Sequence, residues 1–354
     1  MDLLQLVKER LALAIQEHVF PGAVFGMVKK NGERLLVPIG KTTYNSDARL
    51  VQSESIFDVA SITKSIPTAS LALRLIDEGR MKLEDKLINY IPEFTNSHRE
   101  NILVKHLLTY TLDFQLKLSA LKDKPALDIL KLLFTSEFGN APGEKFFYHN
   151  SSALLMGIVI ERITGKPLDT LADEVFFNPL GMKFTSFDPE KFKRDQIIPT
   201  EIDSWRGRLI HGEVHDESAF ALKPLMQTGH AGLFSTVPDL LTFMEMLLND
   251  GELNGKRYLS SAIIVEMVRN QTAGKPFVHG LGWALDGKEI IGEMASFKSF
   301  FKTGFTGCLV AADTDHAVAF SLLSNRVHPT RSQETLDKIN FVRRDIANLI
   351  VRSL

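Results

Sequence analysis

The chain has 354 residues, is 44% apolar and 24% charged, and carries a net charge of −2. That balance excludes a disordered or fibrous chain. Without an excess of Lys and Arg it also argues against a nucleic-acid binder, which leaves a small molecule or a short peptide as the expected partner.

At the N-terminus Leu3, Leu4, Val7, Leu11 and Ala14 share one face of a helix. The stretch lacks the basic start, continuous apolar run and small-residue cleavage site of a secretory signal. The expected compartment is therefore the cytoplasm, or the periplasm for a chain whose signal has been removed. The longest apolar run, residues 153–160, is too short to span a bilayer. Residues 22–28 and 35–39 read as two strands, joined through an Asn31-Gly32 hairpin signal. A third strand, residues 56–60, runs straight into Ser61. Helices are expected over 65–78, with Pro67 bending the first turn, and over 126–134, 152–164 and 240–248. The tail returns to strands over 282–285, 297–303, 308–312 and 317–323, and a last helix fills 332–351. Cys308, the single cysteine, lies in one of these apolar runs and reads as a small core residue.

This order predicts an α/β (α+β) fold. An antiparallel sheet is flanked by N- and C-terminal helices, and a mostly helical lobe is inserted in it. The whole chain, 1–354, reads as one catalytic domain. Its α/β lobe covers about 1–62 and 275–354, and its helical lobe about 63–274. A cleft between the lobes is the natural place for a site.

Ser61-Ile62-Thr63-Lys64 brings an amine beside a hydroxyl, because i and i+3 are neighbours on a helix. A serine needs a base to take its proton, and a lysine can serve if its pKa is lowered. Two decoys share the pattern. Ser119 and Lys122 lie in a polar, exposed segment. Ser299 and Lys302 lie in a strand, where i and i+3 face opposite ways. Only Ser61 stands at a strand-to-helix junction. Tyr148-His149-Asn150 follows the loop signal Ala141-Pro142-Gly143 and opens a helix. It offers a phenol that can move a proton and an amide that can orient a substrate. Lys302-Thr303-Gly304 ends a late strand, with a positive charge and a glycine that lets a ligand approach the backbone. Positive charge from Lys64 and Lys302 is expected to favour the Tyr148 phenolate.

His211 and His215 have i, i+4 spacing, but Gly212 stands where the zinc-protease motif needs Glu, and no third ligand can be placed. No metal and no cofactor are expected.

Taken together, the three motifs resemble those of the serine β-lactamases and penicillin-binding proteins, most closely the class C β-lactamase-like hydrolases. That group includes esterases, D-amino-acid-releasing peptidases and D,D-carboxypeptidases. Residues 57–64, Tyr148-His149-Asn150, Gly229-His230-Ala231-Gly232 and Asn325-Arg326 carry the resemblance. It implies a β-lactamase/transpeptidase-like fold and an acyl-enzyme mechanism with Ser61, Lys64 and Tyr148 as catalytic residues. It further implies an oxyanion hole from the N–H groups of Ser61 and Phe305, and a substrate-binding set of Asn150, Lys302, Thr303, Gly304 and Phe305, with Lys302 attracting a carboxylate. Whether Lys64 or Tyr148 is the acylation base stays open. The expected function is hydrolysis of an ester or amide; the alternatives are a D,D-carboxypeptidase acting on cell-wall peptides and a non-catalytic scaffold on the same fold. Two departures stand out. Tyr110-Thr111-Leu112-Asp113 replaces a glycine-containing turn, and Lys302 occupies a position where esterase-like relatives carry histidine.

Overall fold

The computed structural model describes residues 2–354. Helix α1 (Leu3–Gln16) leads into the hairpin of β1 (Gly22–Lys29) and β2 (Arg34–Gly40). The middle of the chain holds the helices α2 (Ser70–Asp77), α3 (Ala126–Phe134), α4 (Asn150–Thr164), α5 (Glu217–Leu222) and α6 (Val237–Leu248), among shorter ones. The tail supplies β3 (Ala284–Leu285), β4 (Ser299–Thr303), β5 (Leu309–Asp313), β6 (Val318–Ser324) and the closing helix α7 (Gln333–Val351).

Six strands form one antiparallel sheet in the order β2-β1-β6-β5-β4-β3. The two ends of the chain meet at its centre, where Phe25 of β1 pairs with Leu322 of β6. Both faces are covered, and the two-residue period of a strand decides which side chain goes where. Ala23, Phe25, Met27, Leu309, Ala311, Phe320 and Leu322 pack with Val7 and Leu11 of α1 and Ile339, Val342 and Ile346 of α7. Their neighbours Val24, Val28, Val310, Ala312, Ala319 and Leu323 face the other way, into the core shared with α6 and the helical middle. Cys308 is fully buried.

Three local departures from the sequence reading have physical causes. The expected strand 56–60 shrinks to Phe57–Asp58, because Ala60 turns into the left-handed region at φ 48°. The expected helix over 65–78 is broken: the backbone leaves helical geometry at Ile66 (φ −119°, ψ 107°), since the residue before a proline is pushed out of the α region. Only Ser70–Asp77 is regular α-helix there. Helix α5 is an addition, capped at its start by Asp216.

Candidate active site

The Ser61 turn is built by its neighbours. Phe57–Asp58 pairs antiparallel with Phe234–Ser235, which brings the Gly229–Gly232 glycine loop alongside. The Val59 N–H donates to the Leu233 carbonyl at 3.0 Å. Asp58, almost fully buried, accepts the Ala60 N–H at 2.8 Å and the His215 N–H at 2.7 Å. A left-handed alanine costs backbone energy, and these bonds hold it directly before Ser61. Residues Ala60–Lys64 then form a 3-10 helix. With three residues per turn, Ser61 and Lys64 stand one above the other.

Lys64 Nζ lies 2.7 Å from Ser61 Oγ and 2.9 Å from the His230 carbonyl oxygen, and the side chain is 1% exposed. Burial penalises the ammonium form and pushes the Lys64 amine down to about 7; the charge of Asp216 opposes the shift. A neutral amine at hydrogen-bond distance from a serine hydroxyl can accept its proton.

Tyr148 precedes α4 and forms the wall beside Ser61. Its ring centroid is 5.3 Å from Lys64 Nζ and 4.5 Å from Lys302 Nζ. The shift runs opposite to the expected one. Tyr148 is half exposed to the cleft, yet desolvation raises its phenol above the ordinary value; the Ser61 hydroxyl opposes this, and the Asp216 charge adds to it. The reason lies in the two lysines. Both amines are themselves buried and shifted downward, which weakens the positive charge the sequence reading assigned to them. The phenol is thus shifted up and the Lys64 amine down.

Lys302 is placed differently from the three residues that follow it. Thr303, Gly304 and Phe305 line the cleft next to Ser61, Tyr148 and Asn150. Lys302, on the same strand end, turns behind Tyr148, and only 3% of it is exposed. Its amine sits over the Tyr110 ring at 4.7 Å, and it donates to the Tyr110 hydroxyl at 3.4 Å. Burial holds this amine well below the ordinary lysine value, and Lys64 adds to the effect. Tyr110, the residue that departs from the expected turn, adopts φ 52° and packs its ring, tilted by 44°, 5.1 Å from that of Tyr148.

The late turn is pinned to the nucleophile. Thr306 donates to the Asp58 carbonyl at 2.7 Å. Phe305, partly exposed in the cleft, has the His215 ring stacked 5.9 Å away and the Arg326 guanidinium 4.5 Å over its face. Arg343, from α7, donates to the Cys308 carbonyl at 2.7 Å. The cleft is about 720 Å³ in volume. Asp216 and Glu217 stand at its rim, and Arg331 and Arg343 lie on the Phe305 side.

The contacts of Asp216 and the helix it caps escaped the sequence reading. Asn150 Nδ2 donates to Asp216 Oδ2 at 3.2 Å. Asp216 also accepts from Ser218 Oγ (2.6 Å) and the Ala219 N–H (2.9 Å), capping α5. An acidic residue before a short apolar-periodic stretch is an N-cap signal, so α5 was legible in principle. His230, fully buried, places Nε2 3.3 Å from Asp216 Oδ1 and orders its loop. His211 and His215 take different partners: His211 lies against the Arg194 and Ile197 carbonyls, and His215 Nε2 is 2.7 Å from Glu201 Oε2. Burial opposes ionisation of Glu201, but bonds from His215 and Arg331 override it and hold the carboxyl down to about 2. Of the decoys, Ser119 and Lys122 line the far side of the cleft, with Lys122 over the Trp205 ring. Ser299 is buried in β4.

A family model described as Beta-lactamase matches residues 3–342. A protein of Escherichia coli (strain K12) named "Putative D-alanyl-D-alanine carboxypeptidase" is 30% identical over 305 residues, 77% of this chain and 70% of that one. One of the same name from Salmonella agona (strain SL483) is 28% identical over 347 residues, covering 88% and 77%. Among solved structures, the octameric penicillin-binding protein homologue from Pyrococcus abyssi superposes with a TM-score of 0.78 at 20% identity, over 99% of this chain and 78% of that one. EstCE1, titled a hydrolase with promiscuous acyltransferase activity, gives 0.76 at 20% identity over 98% of each. No helix among the described residues is long and apolar enough to cross a membrane.

Proposed function

The chain belongs to the β-lactamase family and is a hydrolase of the β-lactamase and penicillin-binding-protein type, and from that premise we propose that it works through a serine acyl-enzyme with Ser61 as nucleophile. The observation that carries the reading is the 2.7 Å approach of the Lys64 amine to Ser61 Oγ, with that amine shifted to about 7.

In this reading Lys64 takes the Ser61 proton as Oγ attacks the substrate carbonyl. The N–H groups of Ser61 and Phe305 receive the oxyanion; such donors typically lower a barrier by about 3 kcal/mol each. Tyr148, protonated, hands its proton to the leaving group as the ester or amide bond breaks, and recovers one from Lys64. Water then attacks the acyl-enzyme, giving up a proton to the same pair, and the acyl group leaves as a carboxylic acid with Ser61 restored. Asn150 orients the acyl side, and Thr303 and Gly304 lie along the substrate backbone. Buried neutral Lys302 supports the Tyr148 ring. The intact Ser61, Lys64 and Tyr148 constellation weighs against a non-catalytic scaffold.

A substrate ending in a carboxylate is the reading favoured within this class. The relatives from Escherichia coli and Salmonella agona carry the name "Putative D-alanyl-D-alanine carboxypeptidase". The test is covalent labelling with a fluorophosphonate and a penicillin, followed by peptide mapping, beside turnover of a nitrophenyl ester, nitrocefin and a peptide ending in D-Ala-D-Ala. The adduct is expected on Ser61. Because Ser119 shares the cleft, a label there overturns the assignment.

A further inference from the structure

The mechanism leaves one charged group at the reacting centre without a part. Asp216 is the anion of the Val214-His215-Asp216-Glu217 rim segment, and its side chain is mostly buried. It does not touch Ser61 or Lys64. It touches what touches them. Asn150, at the start of α4, donates to one of its oxygens at 3.2 Å. His230, whose carbonyl holds Lys64 Nζ at 2.9 Å, places Nε2 3.3 Å from the other. Ser218 and Ala219 fix that second oxygen from α5. The carboxylate is thereby locked in rotation and position. It bridges the α4 and glycine-loop sides of the pocket that encloses the catalytic amine.

We propose that Asp216 is a positioning residue for acyl transfer: a fixed carboxylate that aligns Asn150 and the His230 loop around Lys64 and offsets the burial of the Lys64 amine. The inference rests on the acyl-enzyme reading above. The groups facing Lys64 make the charge argument specific. Ser61 stands on its own turn, Tyr148, His149 and Asn150 come from the start of α4, His230 from the glycine loop, and Lys302 from β4. His149, His230 and Lys302 are each shifted downward by burial, and burial raises Tyr148. Burial thus works against positive charge on each of these bases, although the Asp216 carboxylate opposes it at His230. Burial also works against Asp216, yet the His230 imidazole and the hydrogen bonds from His230, Ser218 and Ala219 keep its carboxyl far below the usual range. Asp216 is then the charge that keeps Lys64 from falling further, since an anion nearby favours the ammonium form. The balance leaves an amine that is neutral just above pH 7 and can still carry a proton to the leaving group through Tyr148.

The sign of the test follows. Removing the carboxylate lowers the Lys64 pKa, so the free amine persists to lower pH. The acid limb of the acylation rate, centred near 7 in the wild type, is expected to move down by roughly one pH unit in Asp216→Asn. Asp216→Glu, which keeps the charge, restores the limb toward its wild-type position. Asp216→Ser is the second neutral variant, because serine also caps a helix. Acylation is followed by the burst of a nitrophenyl ester from pH 5 to 9, with circular dichroism as folding control. An unmoved limb with a uniform rate loss assigns Asp216 to structure alone and overturns the proposal, as does a shift to higher pH. Failure of both neutral variants to fold overturns it in the same way. Wild type is labelled in parallel: absence of a Ser61 adduct defeats the acyl-enzyme reading itself, which separates the two failures.

Discussion

Replacing Gly304 by alanine perturbs the site by a distance that can be read directly. Gly304 lies at the end of β4, with its Cα against the carbonyl of Val59, two residues before Ser61. A β-carbon there would stand 2.3 Å from Val59 O and 3.1 Å from Cys308 Cβ, whereas ordinary contact begins at 3.4 Å. The obstructing atom belongs to the backbone, so no side chain can swing aside. The strand end and the nucleophile turn must separate by about 1 Å, which moves the Phe305 N–H away from that of Ser61. A misplacement of that size costs about 100-fold in rate, equivalent to about 2.7 kcal/mol of barrier. Overpacking of a filled core costs stability by about 1–3 kcal/mol, so the protein should remain folded. Burst kinetics on a chromogenic ester report the acylation constant, and a melting curve reports the fold. A folded Gly304→Ala protein with the wild-type acylation constant would refute the oxyanion geometry.

Two further substitutions probe the proton path and the buried lysine. Tyr148→Phe keeps the ring that packs on Tyr110 and Lys302 but removes the transferable proton. Both acylation and deacylation should slow by roughly 10²–10⁴-fold with the fold intact, and wild-type rates would leave Tyr148 a packing residue. Lys302→Met keeps the stem and removes the hidden amine. Because that amine lies behind Tyr148 and away from the cleft surface, losses on a carboxylate-bearing peptide and a neutral ester should match; a loss confined to the peptide would restore Lys302 to substrate recognition.

The candidate site residues were legible because their signals are local. Ser61 and Lys64 are three residues apart, Tyr148 and Asn150 two, and Thr303, Gly304 and Phe305 are consecutive. Short spacings survive the error of a few residues in element boundaries. The sheet was legible too, since short, nearly continuous apolar runs at both ends of the chain read as strands buried on both faces. Such patterns describe what lies next to what along the chain. They say nothing of which way Lys302 turns at the end of β4.

Composition and pattern by themselves determined the fold class and the family resemblance, and singled out Ser61, Lys64 and Tyr148 as candidates. Only the tertiary structure decided their charge states and their supporting cast. A pKa follows from burial and from charges brought together across long stretches of chain, as when Asp216 meets Asn150 and His230 around Lys64. Lys302 read as an exposed cation in sequence, and became a buried amine when Tyr110 and Tyr148 closed over it. The residue types were written in the chain, but desolvation is a property of the packed molecule, and it gave Lys64 the base's pKa and raised that of Tyr148.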